Sequence, residues 1–140
     1  MEVLALERTL TEIDHLRIVN LVRRYRRGDG SPTPGPALTH VLEGCAIVPS
    51  LQTPPDVVTM YSQVLLQDLA SGKRSKLTLC YPADAEPATG FVSVLSPVGA
   101  SLLGQRVGCV ARWSTHAGVA RAAEILAILF QPEAIGDHAM

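Results

Sequence analysis

The sequence has little of what metal, redox and nucleic-acid sites are built from. Its three cysteines, Cys45, Cys80 and Cys109, stand far apart with no CxxC pair, which argues against zinc ribbons, dithiol motifs and a disulfide framework, and fits a reducing cytoplasm. The four histidines (His15, His40, His116, His138) show no ligand spacing among themselves or with cysteine. No P-loop, GxGxxG or GxSxG occurs. Neither sign of charge dominates: 12 Lys+Arg against 13 Asp+Glu leave a net charge of −1, whereas a dedicated nucleic-acid binder usually carries a basic excess. The longest apolar run, Ile125 to Phe130, is far too short to span a bilayer. No basic stretch followed by a long apolar run opens the chain, so no export signal is expected.

What is present is apolar and periodic. At 140 residues, 47% of them hydrophobic, the chain is long enough for one domain with a small appendage and a real core. Ile18, Leu21, Val22 and Tyr25 recur at helical spacing. Ahead of them, Thr9 with Glu12 and Thr11 with Asp14 have the spacing of a capping box. Arg23, Arg24, Arg26 and Arg27 close this helix, where cations suit the dipole. A break follows (GDGSPTPGP), then a second helix carrying Leu38, Val41, Leu42 and Cys45, with Pro36 near its first turn and Pro49 ending it. The two helices read as a short antiparallel hairpin over residues 1–48. Ile47 to Asp56 is a connector that prolines stiffen, with residues 49–56 as its proline-rich part.

From Val57 the period switches to two. Val58, Met60, Ser62, Val64 and Leu66 alternate as in a strand, and Ser75, Leu77, Leu79 and Tyr81 continue the pattern after a turn. Pro82 to Gly90 is a loop, and Phe91 to Leu95 a short strand. Ser96-Pro97 opens a two-turn helix that Gly104 stops. Val107 to Trp113 is a further strand. The stretch from Ala123 to Phe130 is ambiguous, since RAAEILAIL is made of good helix formers.

Four pieces stand in order: PPDVVTMYSQV (Pro54 to Val64), Tyr81-Pro82, SVLSPVGASLLGQRVG (Ser93 to Gly108) and QPEAIGD (Gln131 to Asp137). Together they resemble the C-terminal domain of the GreA/GreB transcript-cleavage factors, and more closely the shorter Rnk family, the regulators of nucleoside diphosphate kinase. The resemblance covers about two-thirds of the chain. It implies an α+β protein: a short N-terminal antiparallel helical hairpin, then an FKBP-like domain over residues 57–140, a curved antiparallel sheet packed on one short helix. It also implies that the last ambiguous segment is a strand.

In the Gre relatives, the C-terminal domain grips RNA polymerase at the rim of the secondary channel. A long coiled coil carries two acidic residues to the active site, where they help hold a metal. The resemblance therefore implies RNA polymerase as partner, with Ser96, Pro97, Val98 and Gly99 as contact residues. It implies nucleic acid contact only through the polymerase, no membrane partner and a cytoplasmic monomer. The tip of the hairpin here offers Arg26, Arg27 and a single acid, Asp29. One carboxylate is a poor ligand set for Mg²⁺, and a helix from Thr11 to Arg27 spans only about 25 Å. No catalytic residue, metal or cofactor is expected, and no transcript-cleavage activity. The rival reading is a regulator of nucleoside diphosphate kinase levels that does not touch polymerase.

The sequence also departs from the family pattern. Tyr61 and Gln63 stand where Asn and Arg are usual, Cys109 where Asp is usual, and Leu95 where an acid precedes Ser-Pro. Ser-Pro is explained by helix capping as well as by contact. The arginine group is either a solvated helix end or a surface for acidic polymerase regions or nucleic acid. Cys109 reads as a buried, inert thiol. Prolyl isomerase activity does not follow from an FKBP-like fold, and several of the five aromatics after position 57 are needed for the core.

Overall fold

The computed structural model describes residues 8–25, 36–115 and 117–135. The first strand, β1 (Thr9–Thr11), leads directly into helix α1 (Glu12–Tyr25). The Thr11 hydroxyl accepts the Asp14 amide at 3.0 Å, which caps the helix. The reciprocal half of the expected capping box is absent: the Asp14 carboxylate turns away to the backbone of Met60. Asp14, Ile18, Leu21 and Val22 form the buried face of α1, and Arg23 and Arg24 lie exposed in its last turn.

Helix α2 (Pro36–Gly44) ends earlier than expected, at Gly44 rather than before Pro49. The chain turns extended as β2 (Ala46–Val48), which pairs in parallel with β1. Part of the anticipated connector is thus a strand, and a 3-10 turn over Ser50–Gln52 follows it. Strands of three residues are too short for an alternating signal to declare itself. The ring of His15 lies 3.1 Å from the carbonyl of Leu42, joining α1 to α2.

The main sheet has the order β5-β4-β3-β7-β6, built from β3 (Gln63–Asp68), β4 (Arg74–Cys80), β5 (Phe91–Ser93), β6 (Val110–Ser114) and β7 (Ala120–Phe130). It is mixed rather than wholly antiparallel, because β5 runs parallel to β4. Two 3-10 turns, Pro82–Asp84 and Pro87–Thr89, carry the chain back so that Phe91 enters beside Thr78. The last segment is a strand, despite its helical propensity, because β7 is sandwiched between β3 and β6 and its inward residues Ala123 and Ile125 are buried. Two register shifts against β3 accompany its curl.

The first expected strand does not begin at Val57. Residues 57–60 are all buried, and Tyr61 adopts φ +66°. Ser62 N donates to Thr59 O at 3.0 Å, so Thr59–Ser62 is a turn with its third residue left-handed, the geometry of type II. The strand starts only after it. Even so, the alternating set Val58, Met60, Ser62, Val64 and Leu66 is buried throughout.

Helix α3 (Pro97–Leu102) packs beneath the sheet, with Leu102 and Leu103 fully buried. Gly104 follows at φ +77°, where a Cβ would meet Leu10 Cδ1 at 2.9 Å and Thr9 O at 3.0 Å. Arg8 donates to the carbonyls of Ala100 (2.7 Å) and Leu103 (3.1 Å) and so satisfies the helix end. One cluster of buried side chains unites both parts of the chain: Ile18, Leu21 and Leu38 belong to the same core as Val64, Leu79 and Ile125. Cys109 is only half-buried; the fully buried thiol is Cys80.

Candidate functional site

One end of the sheet gathers most of the residues with unusual environments. β4 and β5 finish there, β3 begins there, and the end of β7 pairs with Gln63. Val94 N donates to Cys80 O at 2.9 Å, which holds the corner after β5 beside the one after β4.

The corner after β5 is built around Ser96. Its hydroxyl donates to Ser93 O at 2.7 Å and accepts from Gly99 N at 3.1 Å. Pro97 occupies the first helical position, where a missing N–H loses no helical bond. A Cβ on Gly99 would lie 2.0 Å from Ser93 O, so only glycine fits. Leu95 and Val98 are half-buried against the core, whereas Pro97 is exposed. Of the four expected contact residues, Pro97 presents its ring to solvent on a rigid support, and Ser96 and Gly99 are occupied in making that support. Arg26, Arg27 and Asp29 lie outside the described residues.

The corner after β4 carries features that the sequence did not announce. Pro82 opens a 3-10 turn that brings Asp84 to Tyr61, whose hydroxyl donates to the Asp84 carboxylate. Burial first, and then this hydrogen bond, push the Tyr61 phenol up to about 12. The rings of Tyr61 and Tyr81 lie 5.9 Å apart, tilted by 55°. The Tyr81 hydroxyl is buried without a partner of good hydrogen-bond geometry. Its pKa is raised mainly by burial and then by the charge of Asp14, against a nearby Arg17 that favours ionisation.

Asp14 sits behind these rings. Its carboxylate accepts the Met60 amide at 3.1 Å, and burial raises its pKa to about 6. Glu133 adds to the rise; the Met60 and Thr11 hydrogen bonds and Arg17 oppose it. The C-terminal piece returns to the same turn. Glu133 accepts from the Thr59 hydroxyl at 2.7 Å, and Gln131 Nε2 donates to the carbonyls of Pro54 (2.9 Å) and Val57 (2.8 Å). Arg106 pairs with Asp56 at 3.0 Å. Three sequence pieces that are separate in the chain thus meet around residues 54–59. Among the described residues, no group of three or more His, Cys, Asp or Glu side chains could hold a metal ion.

Residues 52–130 match the family model for the C-terminal domain of the transcription elongation factors GreA and GreB. The chain belongs to the GreA/GreB family. It is 41% identical over 102 residues to the regulator of nucleoside diphosphate kinase of Escherichia coli K12, covering 73% of this chain and 75% of that one. It is 34% identical over 71 residues to the elongation factor GreA of Geobacillus kaustophilus, covering 51% of this chain and 45% of that protein. The structure of a GreA/GreB elongation factor from Nitrosomonas europaea superposes with a TM-score of 0.71 at 28% identity, covering 89% of this chain and all of that one. The fold is therefore the α+β fold of this family, with a curled sheet and few helices. The protein stands among transcription-elongation-factor-like regulators, and its likeness to the Rnk group is as the motifs implied. No helix among the described residues is long and apolar enough to cross a membrane.

Proposed function

We propose that this GreA/GreB-family chain is a non-enzymatic, cytoplasmic regulator that binds RNA polymerase at the rim of its secondary channel. It acts as a monomer without stimulating transcript cleavage, and it competes there with longer channel factors. The contact is made by Ser96, Pro97, Val98 and Gly99. The observation that carries this reading is the family domain combined with an exposed Pro97 on a support locked by Ser96 and Gly99. The FKBP-like description of the second part, the hairpin formed by α1 and α2, and its connector belong to the same reading. A helix of 14 residues rises about 21 Å. With one acid in the tip sequence, that reach supports a plug or a cover rather than a metal-delivering finger.

The test is co-purification with core RNA polymerase, followed by competition against a Gre factor in a cleavage assay. Binding and loss of Gre-stimulated cleavage are expected; absence of binding at micromolar protein overturns the reading. A second reading rests on the name of the 41% identical relative: a regulator of nucleoside diphosphate kinase levels that acts without polymerase contact. A deletion strain with normal kinase levels excludes it.

A further inference from the structure

Between α1 and the corner after β4 lies an open groove of about 890 Å³, whose described lining includes Arg17, Asn20, Arg23, Arg24, Tyr25 and Tyr81. We propose that this groove binds a free nucleoside phosphate, with the guanidinium groups of Arg23 and Arg24 on the phosphate and the base against the Tyr25 and Tyr81 rings.

The lining chemistry favours such a ligand. Arg17, Arg23 and Arg24 all line the groove in a chain whose net charge is −1, and none of the described lining residues is acidic. Arg23 and Arg24 are exposed, and arginine presents a planar fork that matches phosphate oxygens two at a time. Tyr25 and Tyr81 are half-buried, with apolar ring faces beside those charges. Bases stack on aromatic faces whatever their identity, because every base has a π-face. Asn20 adds an amide that both donates and accepts. Of the acids beside this corner, Asp84 accepts from Tyr61, and Asp14, whose charge reaches Tyr81, is buried and bonded to Met60 N.

Size separates a mononucleotide from an acidic peptide. From Arg17 to Tyr25 the helical wall rises about 12 Å, and among the described residues the facing wall consists of Tyr81, Pro82 and Ala83. An extended peptide at about 3.3 Å per residue would place fewer than four residues inside. A mononucleotide fits that length, and the volume lies within the usual range of small-molecule sites. The groove is distinct from the Ser96–Gly99 corner, so the proposal does not depend on polymerase binding.

The test uses the isolated full chain in calorimetric titrations with ADP, adenosine and inorganic phosphate. ADP is expected to bind with a dissociation constant below about 1 mM, and adenosine and phosphate at least about tenfold more weakly. The double variant Arg23→Ala, Arg24→Ala should weaken ADP at least about tenfold with an unchanged melting temperature, because both side chains are exposed. Arg112→Ala, on β6 and away from the groove, should leave ADP binding unchanged. The proposal is overturned if ADP binds no tighter than phosphate. It is equally overturned if the double variant keeps full affinity, or if a six-nucleotide RNA binds more tightly than ADP, which would mark a strand-binding surface instead.

Discussion

The carboxylate of Asp14 accepts the backbone amide hydrogen of Met60 at 3.1 Å, across 46 residues of chain. It ties the first turn of α1 to the turn that precedes β3. Helix and sheet share one core, but this bond joins them at a defined point, directly behind the tyrosine pair. A buried acid in that place makes the joint sensitive to pH.

The sign follows from the raised pKa. In the folded chain burial raises the Asp14 carboxyl from its ordinary 3.8 to about 6. The folded state therefore holds the proton more tightly, and the stabilisation from protonated Asp14 is full below about pH 4 and lost as pH rises through 6. The span corresponds to about 3 kcal/mol at ~1.36 kcal/mol per unit. Among the described residues, Glu133, Arg17 and Tyr81 are the titratable groups facing it. Asp14→Asn keeps an acceptor for Met60 without the ionisation. Its stability relative to wild type, from urea unfolding, should rise between pH 4 and pH 7. Asp14→Ala orphans the Met60 amide and should cost about 1–3 kcal/mol near pH 4, a deficit that shrinks as pH rises through 6 because Ala also lacks the ionisation. A flat Asn-minus-wild-type curve would contradict the assignment.

Tyr61 stands at the third position of a turn that favours Gly or Asn, with φ +66°. A bulky residue there carries about 1–3 kcal/mol of strain, opposed by its bond to Asp84 and its contact with Tyr81. Tyr61→Phe keeps the strain and loses the bond, so about 0.5–1.5 kcal/mol should be lost. Tyr61→Asn relieves the strain and should be no less stable than the Phe variant in thermal unfolding. Asp84→Ala should bring the Tyr61 phenol down from about 12, read by ultraviolet absorbance titration.

On the opposite end of the sheet, Arg121 reaches Asp68 at 2.6 Å. Asp68 also accepts the amides of Ala70 and Ser71 at 2.8 and 3.0 Å. The Arg121 bond, followed by these amides, holds its carboxyl down to about 2. Arg121→Ala should raise that value, as followed by carbon NMR of the carboxyl. The melting temperature should barely move, since exposed ion pairs contribute little.

How much of this was legible depended on signal length. Four residues at helical spacing and the Ser96-Pro97…Gly104 frame located α1 and α3 from sequence. β1 and β2 escaped because three residues cannot show a period. The alternation at Val58 to Leu66 named the correct buried residues but hid the turn at Tyr61, since a left-handed residue leaves no trace in a hydrophobic pattern. Ser96 and Pro97 were legible because capping has a sequence signature, whereas Gly99 was legible only through the family resemblance. Asp14, Tyr61, Tyr81 and Asp84 were not, because their partners lie 20 or more residues away and only folding joins them. The overlapping Thr9/Glu12 and Thr11/Asp14 matches were the one available hint: two capping boxes cannot both be used, and the surplus acid was free for another role.

Pro97 and Gly99 separate contact from scaffold within a single turn of helix. A methyl group on Gly99 would collide with Ser93 O, so Gly99→Ala should lower stability by about 1–3 kcal/mol through forced backbone shifts. Its effect on polymerase binding should follow that loss. Pro97 is exposed and its ring nitrogen has no N–H to bond. Pro97→Ala, with the Ser96 cap intact, should change the melting temperature little while weakening polymerase binding about tenfold, near 1.4 kcal/mol. Measuring both variants by thermal unfolding and by competition against a Gre factor distinguishes the two roles. If Pro97→Ala instead lowers the melting temperature and leaves binding intact, Ser96-Pro97 is a helix cap and the polymerase contact lies elsewhere on the domain.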